Sequence, residues 1–163
     1  KNNEADEQLQ LRLKEITEGL RISRRAVNRI IALYGQEAPD MIKEDPYRLI
    51  EDIEGIGFLT ADELALKVGY KREGHSRIAA GIVHVLKESA FSGGHTCLPV
   101  TMLMVKAKGI LQVDAELVGH ALNTMIEGER LIAHKGNIYI PAMYEQERRI
   151  AGKLKELLAG NDG

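Results

Sequence analysis

A chain of 163 residues, 44% hydrophobic and 28% charged, has room for one domain or two small ones and for a true core. Its 22 basic residues nearly cancel 24 acidic ones, so bulk charge argues for no polyanionic partner, and contact with phosphate must come from a local patch. A single cysteine excludes an internal disulfide, no apolar run approaches the about 18 residues of a membrane span, and no charged-then-apolar leader opens the chain, so a cytoplasmic setting is expected.

In chain order, Leu9, Leu13 and Ile16 fall at helical spacing and predict an amphipathic helix over Glu4 to Glu18. Ser23 is a capping residue before a second helix with Val27, Ile30, Ile31 and Tyr34 on its apolar side and Gly35 at its end. Asp45-Pro46 opens a short helix through Leu49 and Ile50 that ends near Ile53. After Glu54-Gly55-Ile56-Gly57, Phe58, Ala61, Leu64, Ala65 and Val68 resume the period until Gly69. A shift of 34 residues lays Arg21-Ile22-Ser23 on Gly55-Ile56-Gly57, Val27 on Ala61, Ile30-Ile31 on Leu64-Ala65 and Gly35 on Gly69. The sequence thus duplicates a helix-hairpin-helix, and with only two copies a closed pseudo-symmetric pair is expected.

Further on, Ser76 to Ala90 predicts a helix on Ile78, Ile82, Val85 and Leu86, followed by a break at Gly93-Gly94 and an extended piece from His95 to Pro99. A brief helix from Thr101 to Lys108 closes at Gly109, and Asp114 caps a longer one carrying Leu117, Val118, Ala121, Leu122 and Met125. Leu131 to His134 and Ile138 to Ile140 flank Lys135-Gly136-Asn137 as a β-hairpin. Helix, helix, hairpin is the order of a winged-helix-like part. A last helix, Tyr144 to Leu158, has Ile150, Leu154, Leu157 and Leu158 on one side and Arg148, Arg149, Lys153 and Lys155 mostly elsewhere. The expected fold is mainly α: tandem helix-hairpin-helix units in residues 1–72, then a helical winged-helix-like part with one small β-hairpin and a C-terminal connecting helix in residues 73–163.

The stretch that carries chemistry is Ile53 to Asp62. Two glycines around Ile56 permit a tight turn, and their missing side chains let a phosphate approach the backbone. Amides at the start of the next helix face that anion, and the helix dipole favours it. Such a contact reads no bases, so binding is expected to ignore sequence. The competing reading is a plain helix-loop-helix turn. In the first copy Arg21 and Ser23 stand in place of the glycines, but Arg21, Arg24, Arg25 and Arg29 form a run with no acid among them, either a phosphate contact or a solvated helix face. The candidate phosphate-binding set is Gly55, Ile56, Gly57, Thr60, Arg21, Arg24 and Arg25. Aromatics at 4%, without Trp, argue against a base-stacking platform.

Asp45-Pro46-Tyr47-Arg48-Leu49-Ile50, Ile53-Glu54-Gly55-Ile56-Gly57-Phe58 and Thr60-Ala61-Asp62 together resemble the helix-hairpin-helix region of the RecD-like helicases, the exodeoxyribonuclease V alpha subunit family. Ala80-Gly81-Ile82 and the run from Gly94-His95-Thr96 to Leu98-Pro99 extend the similarity over most of the chain. The resemblance implies an N-terminal fragment preceding a motor that couples ATP hydrolysis, with magnesium, to 5′ to 3′ unwinding in DNA repair or recombination. It also implies that Gly55 and Gly57 form the phosphate-binding hairpin, with DNA and the helicase motor of the same parent chain as partners. No G-x-x-x-x-G-K-[ST] occurs, so this chain is expected to be no enzyme, to need no cofactor of its own and to turn over no ATP.

Other chemistry-bearing residues point to bland roles. His95 and Cys97 lack the partners of a zinc site, so no metal is expected and Cys97 is read as a small buried hydrophobe. His84 is read as a core or boundary residue. Asp62 and Glu63 are adjacent on a helix and cannot face one substrate. Lys135 is either a wing contact to DNA or a solvated turn residue, and Glu127 and Glu129 nearby favour the second. The rival to DNA binding is a protein-interaction module docking on the motor or on a partner subunit, which near-neutral charge favours.

Overall fold

Helices occupy most of residues 3–160, which the computed structural model describes. The chain divides into two compact units, Lys1–Arg77 and Ile78–Gly163. In the first, α1 spans Asn3–Thr17, α2 Arg24–Tyr34, α3 Ala38–Glu44, α4 Leu49–Asp52 and α5 Phe58–Lys67, with 3-10 turns at Gly35–Glu37 and Pro46–Arg48. Ser23 caps α2, its Oγ accepting from the Ala26 amide at 3.1 Å, and Gly35 closes that helix at φ +60°. Leu9, Leu13, Ile30, Ile42, Leu49, Ile53, Ile56 and Leu64 pack into one cluster, so the apolar residues that set the helical period do form the core.

The third helix was not expected from the sequence. Its seven residues are too few to show a period, and Pro39, which reads as a breaker, sits in the first turn, where proline is tolerated. Burial of Ala38, Pro39 and Ile42 then holds it. Asp45 precedes the Pro46 turn as expected, but its side chain caps nothing.

The second unit shares α6, His75–Gly93, whose first turn lies in the first unit. Then follow β1 Cys97–Pro99, α7 Val100–Leu111, α8 Ala115–Glu127, β2 Ile132–His134, β3 Asn137–Tyr139 and α9 Pro141–Gly160. The chain is mainly α, as expected. The sheet exceeds the expected hairpin: β1 joins it, giving the antiparallel order β1-β3-β2 with Leu98 and Ala133 on either side of Ile138. The turn is the two-residue Lys135-Gly136, both at positive φ, which is the backbone twist that a short hairpin requires. Helix, strand, two helices and hairpin follow one another in this unit.

Two local expectations need correction. α7 runs through Gly109 and ends at Gln112 in the left-handed region, because burying Leu111 completely outweighs a mid-helix glycine, about 1.5–3 against about 1 kcal/mol. Asp114 precedes α8 but makes no side-chain cap.

Gly81 of α6 meets Leu111 of α7 so closely that an added Cβ would lie 2.6 Å from Leu111 Cδ2 and 2.8 Å from its Cγ. Leu111 has no room to yield, since it is wholly buried. Gly81→Val is therefore expected to cost about 1–3 kcal/mol by overpacking, read as a lower urea midpoint. An unchanged midpoint would show that the two helices can separate at no cost. Among the described residues no helix is long and apolar enough to cross a membrane.

Candidate nucleic-acid interface

Each hairpin of the first unit turns through a residue at positive φ, a conformation that favours glycine. In the second hairpin this is Gly55 at φ +97°, closed by the Ile56 amide on the Ile53 carbonyl at 3.3 Å. In the first hairpin it is Gly19 at φ +80°, closed by the Leu20 amide on the Thr17 carbonyl at 3.1 Å. Glu18-Gly19-Leu20 thus matches Glu54-Gly55-Ile56. This corrects the alignment that put Arg21 and Ser23 in place of the glycines: Ser23 does match Gly57 as the residue before the helix, but the first hairpin is two residues longer, and Arg21 lies in the extra length.

A reciprocal pair of contacts shows the pseudo-symmetry. Lys67 Nζ, at the end of α5, donates to the Glu18 carbonyl of the first turn at 2.6 Å. Arg29 Nη1, on α2, donates to the Glu54 carbonyl of the second turn at 3.2 Å. The second helix of each copy therefore clamps the turn of the other at the equivalent carbonyl. Arg29 also pairs with the Glu54 carboxylate at 3.3 Å, and so offsets the one negative side chain within the hairpin. The arginine run is thereby split. Arg29 is committed to the hairpin, whereas Arg21, Arg24 and Arg25 are exposed and make no ion pair among the described residues.

At the second hairpin Ile56 is buried, while Gly55 and Gly57 face solvent. Gly57 has φ −96° and ψ −178°, an extended backbone open to any residue, so it is not glycine for want of a conformation. A Cβ there would enter open space, with no atom within 4 Å. Gly57 gives α5 no side-chain cap, and Thr60 stands half-buried in that first turn. At α2 the first two helical positions are Arg24 and Arg25, where the dipole favours acids by about 0.3–1 kcal/mol, a cost that an incoming anion would offset. Leu59, beside Gly57, is exposed and adds no charge.

The interior of the unit holds what sequence reading missed. Asp62 is buried, taking Arg77 Nε and Nη2 at 2.9 Å each and the Tyr47 hydroxyl at 2.7 Å, while Arg77 Nη1 reaches the Arg72 carbonyl at 2.8 Å. Burial and the Asp62 carboxylate push the Tyr47 phenol well above its ordinary pKa. Glu63 is exposed and takes no part. Tyr34 donates to Asp52, which also holds Arg48 at 3.0 Å, and burial with that bond pushes its phenol up to about 12. The Asp62–Arg77 pair is sealed inside the unit, whereas the Tyr34, Arg48 and Asp52 bonds lie at its surface.

In the second unit α8, the helix before the β2–β3 hairpin, contains no Lys or Arg and two glutamates, Glu116 and Glu127. Lys135 is exposed at the turn. Cys97 is only half-buried, a correction to its reading as a buried hydrophobe, and pairs across the sheet with Tyr139, whose phenol is pushed up to about 12 by a hydrogen bond to Cys97 and by burial. His84 is half-buried beside Glu88 at 3.3 Å, and burial lowers its pKa. Among the described residues no three His, Cys, Asp or Glu side chains gather as metal ligands.

The chain is 29% identical over 167 residues to the ATP-dependent RecD2 DNA helicase of Deinococcus radiodurans, a match covering 93% of this chain and 23% of that one. It therefore spans about a quarter of that relative's length. Residues 7–97, which contain both hairpins, α3 and α6, match the family described as the ATP-dependent RecD2 DNA helicase HHH domain. By that match, which takes in more than half its length, the chain belongs to the family of RecD2 helix-hairpin-helix domains.

Proposed function

We propose that this chain is a sequence-independent DNA-binding accessory region of an ATP-dependent 5′ to 3′ DNA helicase of the RecD-like type, acting in repair or recombination. The observation that carries the reading is the second hairpin: an uncapped helix start behind Gly57, with open space where a side chain would stand and the hairpin's own acid offset by Arg29. A backbone phosphate would be held by the amides of the first turn of α5, with Gly55 and Ile56 shaping the approach and Thr60 adjoining it. Arg24 and Arg25, with Arg21, would meet a second stretch of backbone through charge. ATP and magnesium would serve the motor of the parent chain, and that motor is the proposed intramolecular partner. In this reading residues 1–72 grip DNA, and the winged-helix-like remainder, whose α8 lacks cations, serves attachment more than binding. A cytoplasmic setting follows from such a role.

Titration of duplex, single-stranded and forked DNA at two salt concentrations tests the reading. Dissociation constants of roughly 10⁻⁴ to 10⁻⁶ M near physiological salt are expected, weakening as salt rises. A strong preference for one base sequence would contradict a backbone-only grip. Arg24→Gln with Arg25→Gln should lower affinity modestly and flatten the salt dependence by up to about one unit of slope for each phosphate no longer neutralised. Lys135→Ala should leave affinity almost unchanged, and a tenfold weakening would assign the hairpin tip to DNA instead.

A further inference from the structure

α7 turns Leu103, Ala107 and Leu111 to the core and leaves an apolar face outside. Met102 and Val105 on that face are 47 and 72% exposed, whereas the three core residues are wholly buried. At roughly 100° per residue, the exposed positions follow one another around the helix as Lys108, Thr101, Val105, Gly109, Met102 and Lys106, an arc of about 160°. The apolar positions therefore lie in the middle, with a lysine at each edge. Neither lysine makes an ion pair among the described residues, and α7 contains no Asp or Glu.

Gly109 is not explained by the fold. A glycine within a helix is destabilising relative to alanine, yet its φ is not positive and a Cβ there would meet no atom within 4 Å. What its missing side chain permits is close approach from outside, at the centre of the exposed face. Met102, Val105 and Gly109, at i, i+3 and i+7, form one stripe, which suits another helix laid along it. A nucleic acid would answer the lysines but leave Met102 and Val105 against polar backbone. The α7 of a second copy would set lysine against lysine at both edges, in either direction. A lipid surface finds no Trp, Tyr or Phe on this helix to anchor it. We propose that α7 docks against a helix of another protein whose apolar stripe carries carboxylates along both sides.

The test adds two labelled synthetic helical peptides to the full chain, one with a leucine stripe edged on both sides by glutamate and one with lysine in those places. Fluorescence anisotropy is expected to show binding about tenfold or more tighter for the glutamate peptide, with the difference shrinking as salt rises. Met102→Lys with Val105→Lys should abolish that binding although it adds positive charge, while circular dichroism stays unchanged because both side chains are solvent-exposed. Lys106→Glu with Lys108→Glu should transfer the preference to the lysine peptide. Gly109→Gln should weaken binding of the glutamate peptide about tenfold without lowering the melting temperature, since glutamine is the better helix former. Equal affinity for the two peptides, no affinity for either, or undiminished binding after the Met102→Lys and Val105→Lys exchange or after Gly109→Gln overturns the proposal. So does DNA affinity that falls with the Lys106→Glu and Lys108→Glu exchange as far as peptide affinity does, or a concentration-dependent dimer in sedimentation that the Met102→Lys and Val105→Lys exchange abolishes.

Discussion

Arg77→Ala is expected to cost about 3–5 kcal/mol, because it strands the Asp62 carboxylate where water cannot replace the two missing bonds. Against total stabilities of about 5–15 kcal/mol for a domain, that deficit leaves the first unit marginal or unfolded. Asp62→Ala should cost a similar amount, since it abandons the guanidinium and removes the acceptor of the Tyr47 hydroxyl as well. Asp62→Asn keeps an acceptor for Tyr47 and should fall between these variants and the parent. The informative variant is the double replacement Asp62→Leu with Arg77→Met, which leaves no buried charge unpaired and should be less destabilised than either alanine variant. Urea unfolding of the set checks this. A double variant as unstable as the two single effects added together would show that the ion pair does not account for the cost.

That pair is invisible in the sequence for a physical reason. Asp62 stands next to Glu63, and neighbours on a helix face different ways; its real partners lie fifteen residues to either side, at Tyr47 and Arg77. Only the folded arrangement of α5 against the Pro46–Arg48 turn and the start of α6 decides that Asp62 is inside and Glu63 outside. What local rules govern is legible: the periods of α2, α5 and α8, the Ser23 cap, and the Lys135-Gly136 turn. α3 escapes because its helix rests on burial of Ala38 and Ile42 more than on a pattern, and α7 outruns Gly109 because Leu111 has a core position to fill.

The candidate hairpin is legible in part, and its two glycines differ. Gly55 is set by its backbone, which any L side chain would strain; Gly57 has an extended backbone, and a Cβ there would enter open space. A fixed shift suits the helices of the duplication, so the two extra residues of the first hairpin conceal the match between Gly19 and Gly55. The partition of the arginines into one clamp and three exposed charges is likewise a tertiary fact, because Glu54 lies far along the chain from Arg29.

Gly57→Val separates access from folding. Its extended φ and ψ suit valine and its Cβ meets nothing, so the only expected stability cost is that of a poor helix-capping residue, about 0.5–2 kcal/mol. The branched side chain would nonetheless stand between an incoming phosphate and the first amides of α5. DNA affinity should therefore fall about tenfold or more, equivalent to at least about 1.4 kcal/mol, with the salt slope reduced by about 0.9 for one duplex phosphate released. Gly55→Val is the contrasting variant: at φ +97° it strains the turn, so its weaker binding should come with a lower melting temperature. Ser23→Ala removes the Ala26 cap, worth about 0.5–2 kcal/mol, and should leave binding nearly intact. Salt series with circular dichroism melts distinguish the three. If Gly57→Val folds and binds like the parent while the Arg24 and Arg25 double variant loses all affinity, the first hairpin holds the DNA and the roles given to the two copies are reversed.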